Sequence, residues 1–432
     1  MQVSRSILGA ISFCIFLRLV VAACIHWMGS PAQAFCLTDT ESYLAPARAL
    51  ATSGAFLNNQ GQADFFRTPG YPLSLVPGIV LGFPMLGGVV TQVVFSGLVV
   101  LLTGIWGKEL WGDIVGTRAA WIMAFDPLSL VMSMVLMSDM LFSLLVLLGA
   151  WLLWRSRQED LLQLAMSGLC LGFASLVKPV GLYLAPCLLI AWLVQIHGRS
   201  YRMLSLFGVS AIFFFCSFLL PMGWIARNIE NGYFGFSSSS QVLADCYVKP
   251  AIIAQATHQD YYALRSSLGC VESLLPKQEL PGLLTVASEY PWVTFKVFVQ
   301  GLVRGMLDPG TLDLARMLGL YPAQGGLMGV ATSQGILVAL KALIVRNPGV
   351  VLLLGISFPW VLVLMLLGIV GMIRKSYTSW SEWLIPLTLT GYFLFFCAGP
   401  GSVGRYRLPL MPVLAWLAAH GLVHLKGRRG VA

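Results

Sequence analysis

The sequence predicts an all-α polytopic membrane protein of about ten transmembrane helices, with further helices lying along the outer membrane surface. Three observations predict it. Of 432 residues, 57 % are hydrophobic and only 10 % charged, more apolar surface than a soluble chain of this size could hide. The apolar residues fall in long runs, and a membrane-crossing helix needs roughly 20 residues. The cations, which give a net charge of +9, lie mostly between those runs. There, topology and anionic headgroups explain them better than nucleic acid does.

In order, the runs are 6–28, 85–106, 114–133, 139–154, 160–177, 180–196, 203–224, 349–373, 384–398 and 408–424. The first has the outline of a signal peptide, with Arg5, an apolar run and the cleavage-like "PAQA". The stretch from Ile7 to Met28 is long for a leader and contains Arg18, so a retained helix is expected. Arg5, Lys108, Arg118, Arg155, Arg157, Arg199, Arg202, Arg374, Lys375 and the terminal "KGRR" then fall on one side, the cytoplasm by the positive-inside rule. Both termini lie there, and the expected location is a bacterial inner membrane.

The chain divides into a transmembrane core (1–224) with a first outer loop (29–84), an outer segment (225–348) and C-terminal membrane helices (349–432). The outer parts contain short amphipathic runs such as "WVTFKVFVQGLVRGM" (292–306), suited to the membrane plane. The run "YPLSLVPGIVLGF" (71–83) is too short and too interrupted by Pro and Gly to span. There is no internal repeat or low-complexity segment. Of nine cysteines, Cys14, Cys24, Cys170, Cys187, Cys216 and Cys397 lie in apolar runs and read as core residues. Cys36, Cys246 and Cys270 fall outside; a disulfide between two of them is open, and sequence does not pair them.

In so apolar a chain, "TDTESYLAPARAL" (38–50) concentrates charge directly after the first run. Thr38 and Glu41 fit a capping box, Asp39 suits a helix's positive end, and Tyr43, Leu44, Ala47 and Leu50 form a docking stripe. That structural reading stands beside a catalytic one. Other charges recur at the same outer level: Arg67 beside "TPGYP" with Tyr71, Asp139 in "LMSDMLF", Lys178 in "SLVKP", Arg227 and Asn228 after the seventh run, and Arg405, Tyr406 and Arg407 before the last. Singly, Lys178 and Arg407 could snorkel and Asp139 could cap a helix. Together, five cations and two carboxylates at one depth suit an anionic substrate.

No GxxxxGK[ST], HExxH or GxSxG motif occurs, and an outward-facing enzyme has no nucleotide sugar at hand. A sugar joined to a polyprenyl phosphate carries its bond energy in the bilayer. Its transfer needs one carboxylate as base and cations for the departing phosphate, which leaves without an acid's proton. One aspartate with several arginines and lysines is that inventory.

At this point the chain resembles the GT-C class of glycosyltransferases, in the branch of the protein mannosyltransferases and the lipid A aminoarabinose transferase. "TDTESYLAPARALATSGAF" with "FFRTPGYPLSL" resembles the class's first outer loop, whose aspartate is the catalytic base, here Asp39. "LMSDMLF" resembles its second outer acid, with Asp139 where Glu is usual; "LGFASLVKP" has Lys178 where Arg is usual. "WIARNIENGYFGF" and "GRYRLPLMPVLAWLAAHGL" also match the class's style, while 245–380 does not align. The resemblance implies a GT-C fold, a polyprenyl-phosphate-sugar donor, inversion at the anomeric carbon, and a glycan, lipid or protein acceptor arriving from outside.

In this reading Asp39 is the base, with Asp139 and Glu41 beside it. Arg67, Lys178, Arg227, Arg405 and Arg407 hold the donor phosphate, and Tyr43, Tyr71, Asn228 and Tyr406 support them. Asp39, Glu41 and Asp139 offer oxygen ligands for a divalent cation, too few to assign one. The other class of reading is a transporter or flippase for an anionic lipid or sugar phosphate. It needs ionisable groups near the bilayer midplane, where only Arg18 and Asp126 would lie. A ligase with a pyrophosphate-linked donor is a variant of the first.

Overall fold

The computed structural model describes residues 3–29, 34–156, 160–196, 203–270, 281–321, 336–373 and 380–427. Arg157, Arg199, Arg202, Arg374, Lys375, Arg428 and Arg429, used above for orientation, lie outside these. Helices α1 (Arg5–Met28), α2 (Thr40–Ser53), α3 (Gly70–Val80), α4 (Pro84–Trp111), α5 (Asp113–Phe125) and α6 (Pro127–Met132) come first. They are followed by α7 (Asp139–Arg155), α8 (Leu161–Val177), α9 (Leu184–Ile196) and α10 (Met203–Glu230). The outer segment holds α11 (Ser239–Leu243), α12 (Lys249–Ala256), α13 (Tyr261–Ser267), α14 (Leu283–Glu289), α15 (Pro291–Leu307), α16 (Thr311–Met317) and α17 (Ile336–Arg346). The chain closes with α18 (Pro348–Ile373), α19 (Leu384–Cys397) and α20 (Met411–Gly427). Among the described residues there is no strand, only an isolated bridge between Leu57 and Ala63.

Each of the ten apolar runs is helical. Six helices are long and apolar enough to cross a membrane: Arg5–Met28, Pro84–Trp111, Pro179–Ile196, Leu206–Glu230, Pro348–Ile373 and Gly404–Leu425. By that measure the described residues hold six spans rather than the expected ten; Leu161–Val177 and Leu384–Phe396 are shorter apolar helices. The run 114–133 is not continuous. It breaks at Asp126, whose Oδ2 accepts from Ser129 N at 2.7 Å and so caps α6, with Pro127 at the first helical position. Helix α3 has 11 residues, about 16 Å at the α-helical rise, half a bilayer core.

Arg18 and Asp126, the two deep charges, are buried. Arg18 donates to the carbonyls of Cys14 and Ala124 and to Ser129 Oγ, so it fastens α1 to the α5–α6 break. A buried charge held by carbonyls and a hydroxyl is a fixed joint.

Two contacts bring the C-terminal helices back onto the N-terminal core. Trp416 Nε1 donates to Thr103 O at 2.8 Å, and its ring stands edge-on to Trp106 at 4.8 Å. Helices α18 and α20 meet through glycine, since a Cβ on Gly371 would lie 2.1 Å from Leu417 O and one on Gly421 2.3 Å from Leu367 O. Small residues are what allow membrane helices to approach backbone to backbone. The 3-10 turn Gly404–Leu410 therefore arrives beside the first outer loop.

The outer segment has its own small core of Val248, Ile252, Val286 and Val297. Cys246 and Cys270, in a separate cluster with Leu268, form a disulfide, the pairing that the sequence left open. Cys36 is a free thiol.

Candidate active site

The capping box expected at Thr38 and Glu41 does not form. Helix α2 starts at Thr40, and Asp39 is its cap residue without a side-chain capping bond. Thr40 Oγ1 instead accepts from Leu37 N at 2.9 Å, and Glu41 turns outward to pair with Arg48 at 2.5 Å. The Asp39 carboxylate is occupied elsewhere. Its Oδ2 accepts from Arg405 at 2.9 Å and its Oδ1 lies 3.4 Å from Arg67.

Arg67 is aimed by its surroundings. Asp64 Oδ1 accepts from the backbone N–H groups of Phe66 and Arg67, fixing the turn before α3. The guanidinium then donates from Nε to Ser42 Oγ at 2.8 Å and from NH1 to Tyr43 Oη at 3.0 Å, and it lies over the Tyr43 ring. Tyr43 shares a 3.0 Å hydrogen bond with Ser138 and stands edge-on to buried Tyr71.

A second ion pair adjoins the first. Asp139 is the first residue of α7, and Lys178 directly follows α8 where Pro179 ends the helix. Lys178 Nζ donates to Asp139 Oδ1 at 2.5 Å and lies 4.7 Å from the centre of the Tyr406 ring. Asp139 Oδ2 and Arg405 Nε are buried without a hydrogen-bond partner. Unsatisfied polar atoms of this kind are rare in folded proteins, and a bound ligand is one partner that would complete them.

The site thus gathers Asp39, Asp139, Arg67, Lys178 and Arg405 with Tyr43, Tyr71 and Tyr406. Three cations face two carboxylates, so one positive charge is in excess. Burial pushes the Asp39 carboxyl up, but Arg405, Arg67 and Lys178 outweigh it and hold it below the ordinary carboxylate value. Nearby Asp64 goes the other way: burial raises it, against two backbone N–H donors and the charges of Arg67 and Arg227.

Four predicted members stand apart. Glu41 belongs to the exposed pair with Arg48. Arg227 donates to the carbonyls of Asp64 and Phe56 at 2.9 and 2.8 Å and packs over Trp224, while Asn228 donates to Gly235 O and Phe236 O. These two tie the 54–66 hairpin and the start of the outer segment to the end of α10. Arg407 is buried rather than snorkelling. It donates to the carbonyls of Gly305, Met306 and Asp308 and locks the Gly404–Leu410 turn to the end of α15.

The sequence reading missed Gln92, Asp308 and Met137. Gln92 Nε2 in α4 donates to Tyr71 Oη, Val135 O and Met137 O, so one buried amide sets both the tyrosine and the chain before Asp139. An amide inside the apolar run "GGVVTQVVF" was the available signal. Asp308 accepts from Gly404 N and Gly310 N. Gly404 has no room for a side chain, since a Cβ there would lie 2.5 Å from Asp308 O. Met137 Sδ lies 3.4 Å from Arg405 NH1.

The acids do not form a metal-ligand set. Both Asp39 oxygens face guanidinium groups, Asp139 faces Lys178 and Glu41 points to Arg48. Among the described residues no three His, Cys, Asp or Glu side chains converge.

No protein-family model matches the chain, and no curated protein matches it significantly. Solved structures do. The Archaeoglobus fulgidus oligosaccharyltransferase in the apo form superposes with a TM-score of 0.53 at 13 % identity, over 97 % of this chain and 51 % of that one. Oligosaccharyltransferase AglB of the same organism, in complex with an inhibitory peptide and a dolichol-phosphate, gives 0.50 at 11 % identity, over 96 % of this chain and 50 % of that one. ArnT from Cupriavidus metallidurans bound to undecaprenyl phosphate gives 0.41 at 16 % identity, over 95 % and 78 %. The chain spans about half the length of the oligosaccharyltransferase. At these identities the likeness to the oligosaccharyltransferase shows the fold alone, an all-helical membrane fold.

Proposed function

We propose that the protein is a membrane glycosyltransferase. It moves a sugar from a polyprenyl-phosphate donor to an acceptor on the outer side of a bacterial inner membrane. The observation that carries this reading is the position of Asp39. On a GT-C fold, one carboxylate at the head of the first outer helix is held between Arg67 and Arg405 and adjoins Lys178. The AglB structure named above contains a dolichol-phosphate, and a lipid phosphate is the kind of anion that this excess of cations would hold.

In the proposed reaction the acceptor's nucleophilic atom attacks the anomeric carbon from the face opposite the phosphate, giving inversion. The bond from that carbon to the phosphate oxygen breaks, and the electron pair leaves on the polyprenyl phosphate. The nucleophile's proton passes to Asp39. Arg67, Lys178 and Arg405 stabilise the charge that gathers on the phosphate. Asp139, whose buried Oδ2 has no hydrogen-bond partner, positions the acceptor.

A carboxylate clamped by cations is a weak base. The donor phosphate competes for the same guanidinium groups, so its arrival returns basicity to Asp39 at the step that uses it. The transporter reading needs deep charges that exchange partners; Arg18 is instead committed to carbonyls and a hydroxyl.

Asp39→Asn keeps the shape and removes the basicity. The expected result is normal membrane insertion and undecaprenyl phosphate binding with sugar transfer reduced about 100-fold or more, the scale of a lost general base. Transfer at the wild-type rate in this variant would remove Asp39 from the chemistry.

A further inference from the structure

A second cavity lies in the outer segment, away from the Asp39 cluster. It has a volume of about 570 Å³ and lies between α12, α13, α15 and the loop 400–403. Its walls carry Tyr261, Tyr262, Gln259, Gln300, Arg304 and Ser402. The framework behind them is fixed. The Cys246–Cys270 disulfide stands behind the wall residue Arg265, which bonds to Cys246. Arg265 donates to Cys246 O at 2.7 Å and lies over Tyr247, 4.1 Å from its centre. Burial raises the Tyr261 hydroxyl to about 12, so it stays protonated and able to donate at any physiological pH.

The lining is not suited to an anion or to a peptide added as a strand. An anion site concentrates uncommitted charge of one sign, whereas this wall mixes Arg265, committed to Cys246 O and Tyr247, and Arg304 with Asp260, amides and hydroxyls. A peptide added as a strand needs a free backbone edge, and here α12, α13 and α15 consume their own backbone groups. Aromatic faces beside planar amides match a sugar instead. The tyrosine rings suit its C–H faces, and each glutamine offers both a donor pair and an acceptor to neighbouring hydroxyls. Ser402 adds a buried hydroxyl without a partner.

The cavity is coupled to the Asp39 site by backbone. Ser402 and Val403 form its wall, and the same strand of chain continues into Gly404 and Arg405. Asp308 and Arg407 hold that continuation to the end of α15, the helix that supplies Gln300 and Arg304.

We infer that this cavity is an acceptor subsite that binds a neutral, hydroxyl-rich sugar unit of a glycan acceptor and presents a neighbouring group to Asp39. The inference rests on the glycosyltransferase reading and makes its acceptor a glycan.

The test uses the full-length protein in detergent on a printed array of bacterial oligosaccharides beside a printed array of peptides, with undecaprenyl phosphate binding measured in parallel. The wild type is expected to bind glycans and not peptides. Gln259→Ala with Gln300→Ala should lower that signal about tenfold or more, the scale of lost hydrogen bonds, with lipid phosphate binding unchanged. Tyr262→Ala, at an exposed position, should do the same and guards against a misfolded double variant. Asp39→Asn should keep glycan binding while losing transfer. Peptide binding in place of glycan binding, binding to neither array, or full glycan binding in both cavity variants overturns the inference. Glycan binding that depends on the cavity, without sugar transfer from any lipid-linked donor, would leave the cavity as a glycan site and defeat the transferase reading instead.

Discussion

Asp39 is accessible enough to react yet tied to two guanidinium groups, and this tension has measurable consequences. Its carboxyl lies below the ordinary value of about 3.9. The ion pairs therefore contribute fully above that unfolded-state value and are lost only as pH falls through the lower folded-state one. The acid limb of kcat/KM for the donor, which reports the free enzyme, should lie below about pH 4. The limb of kcat should lie higher, because the bound phosphate shares the cations. Arg405→Ala should move the kcat/KM limb upward; a limb that stays in place would break the link between Arg405 and Asp39 basicity. Arg405→Ala should also weaken donor binding roughly 10- to 100-fold, from the loss of a charge-assisted hydrogen bond. Glu41→Gln and Arg227→Ala should leave donor affinity nearly unchanged in titrations with undecaprenyl phosphate, since neither side chain joins the cluster; a loss in either to match Arg405→Ala would redraw the site. The charges themselves were legible in the sequence because so few residues are charged. Their partners were not. Arg405 and Asp39, or Arg227 and the Asp64 carbonyl, are chosen by tertiary approach, which no local pattern encodes.

The turn Gly404–Leu410 and the outer helices show how elements convey the site. Arg405 reaches Asp39 only because Asp308 and Arg407 hold the turn against α15. The disulfide stabilises the same outer layer. Closing a loop over a sequence separation of 24 residues limits the unfolded chain by roughly 3 kcal/mol. Cys246→Ser with Cys270→Ser should lower the thermal midpoint and make 244–270 sensitive to protease, with membrane insertion intact; an unchanged digestion pattern would show that the bridge adds nothing to this layer. Run lengths made the helices legible, but an apolar run does not reveal an interruption unless its caps are read. In 114–133 the pair Asp126–Pro127 was that signal. The pairing of Cys246 with Cys270 lay beyond sequence, because three outer cysteines permit several partners and only the fold brings two together.

At the scale of the whole molecule, residues 39 and 405 meet because α20 packs into the groove of Trp106 and Thr103. A chain that returns its last membrane helix to its first outer loop makes one site from both ends of the sequence. The class was legible as apolar runs and an ordered set of outer motifs, while the closing contact was not, since glycines and tryptophans in apolar runs carry no address. The account's central claim is that this closure forms a binding place for a lipid-linked phosphate. A cryo-EM structure of the full-length protein with undecaprenyl phosphate tests it most directly. The phosphate is expected within hydrogen-bonding distance of Arg405 and of Arg67 or Lys178, with the Asp39 carboxylate freed from at least one guanidinium. A phosphate bound elsewhere, with Arg67 and Arg405 still closed on Asp39, would contradict it.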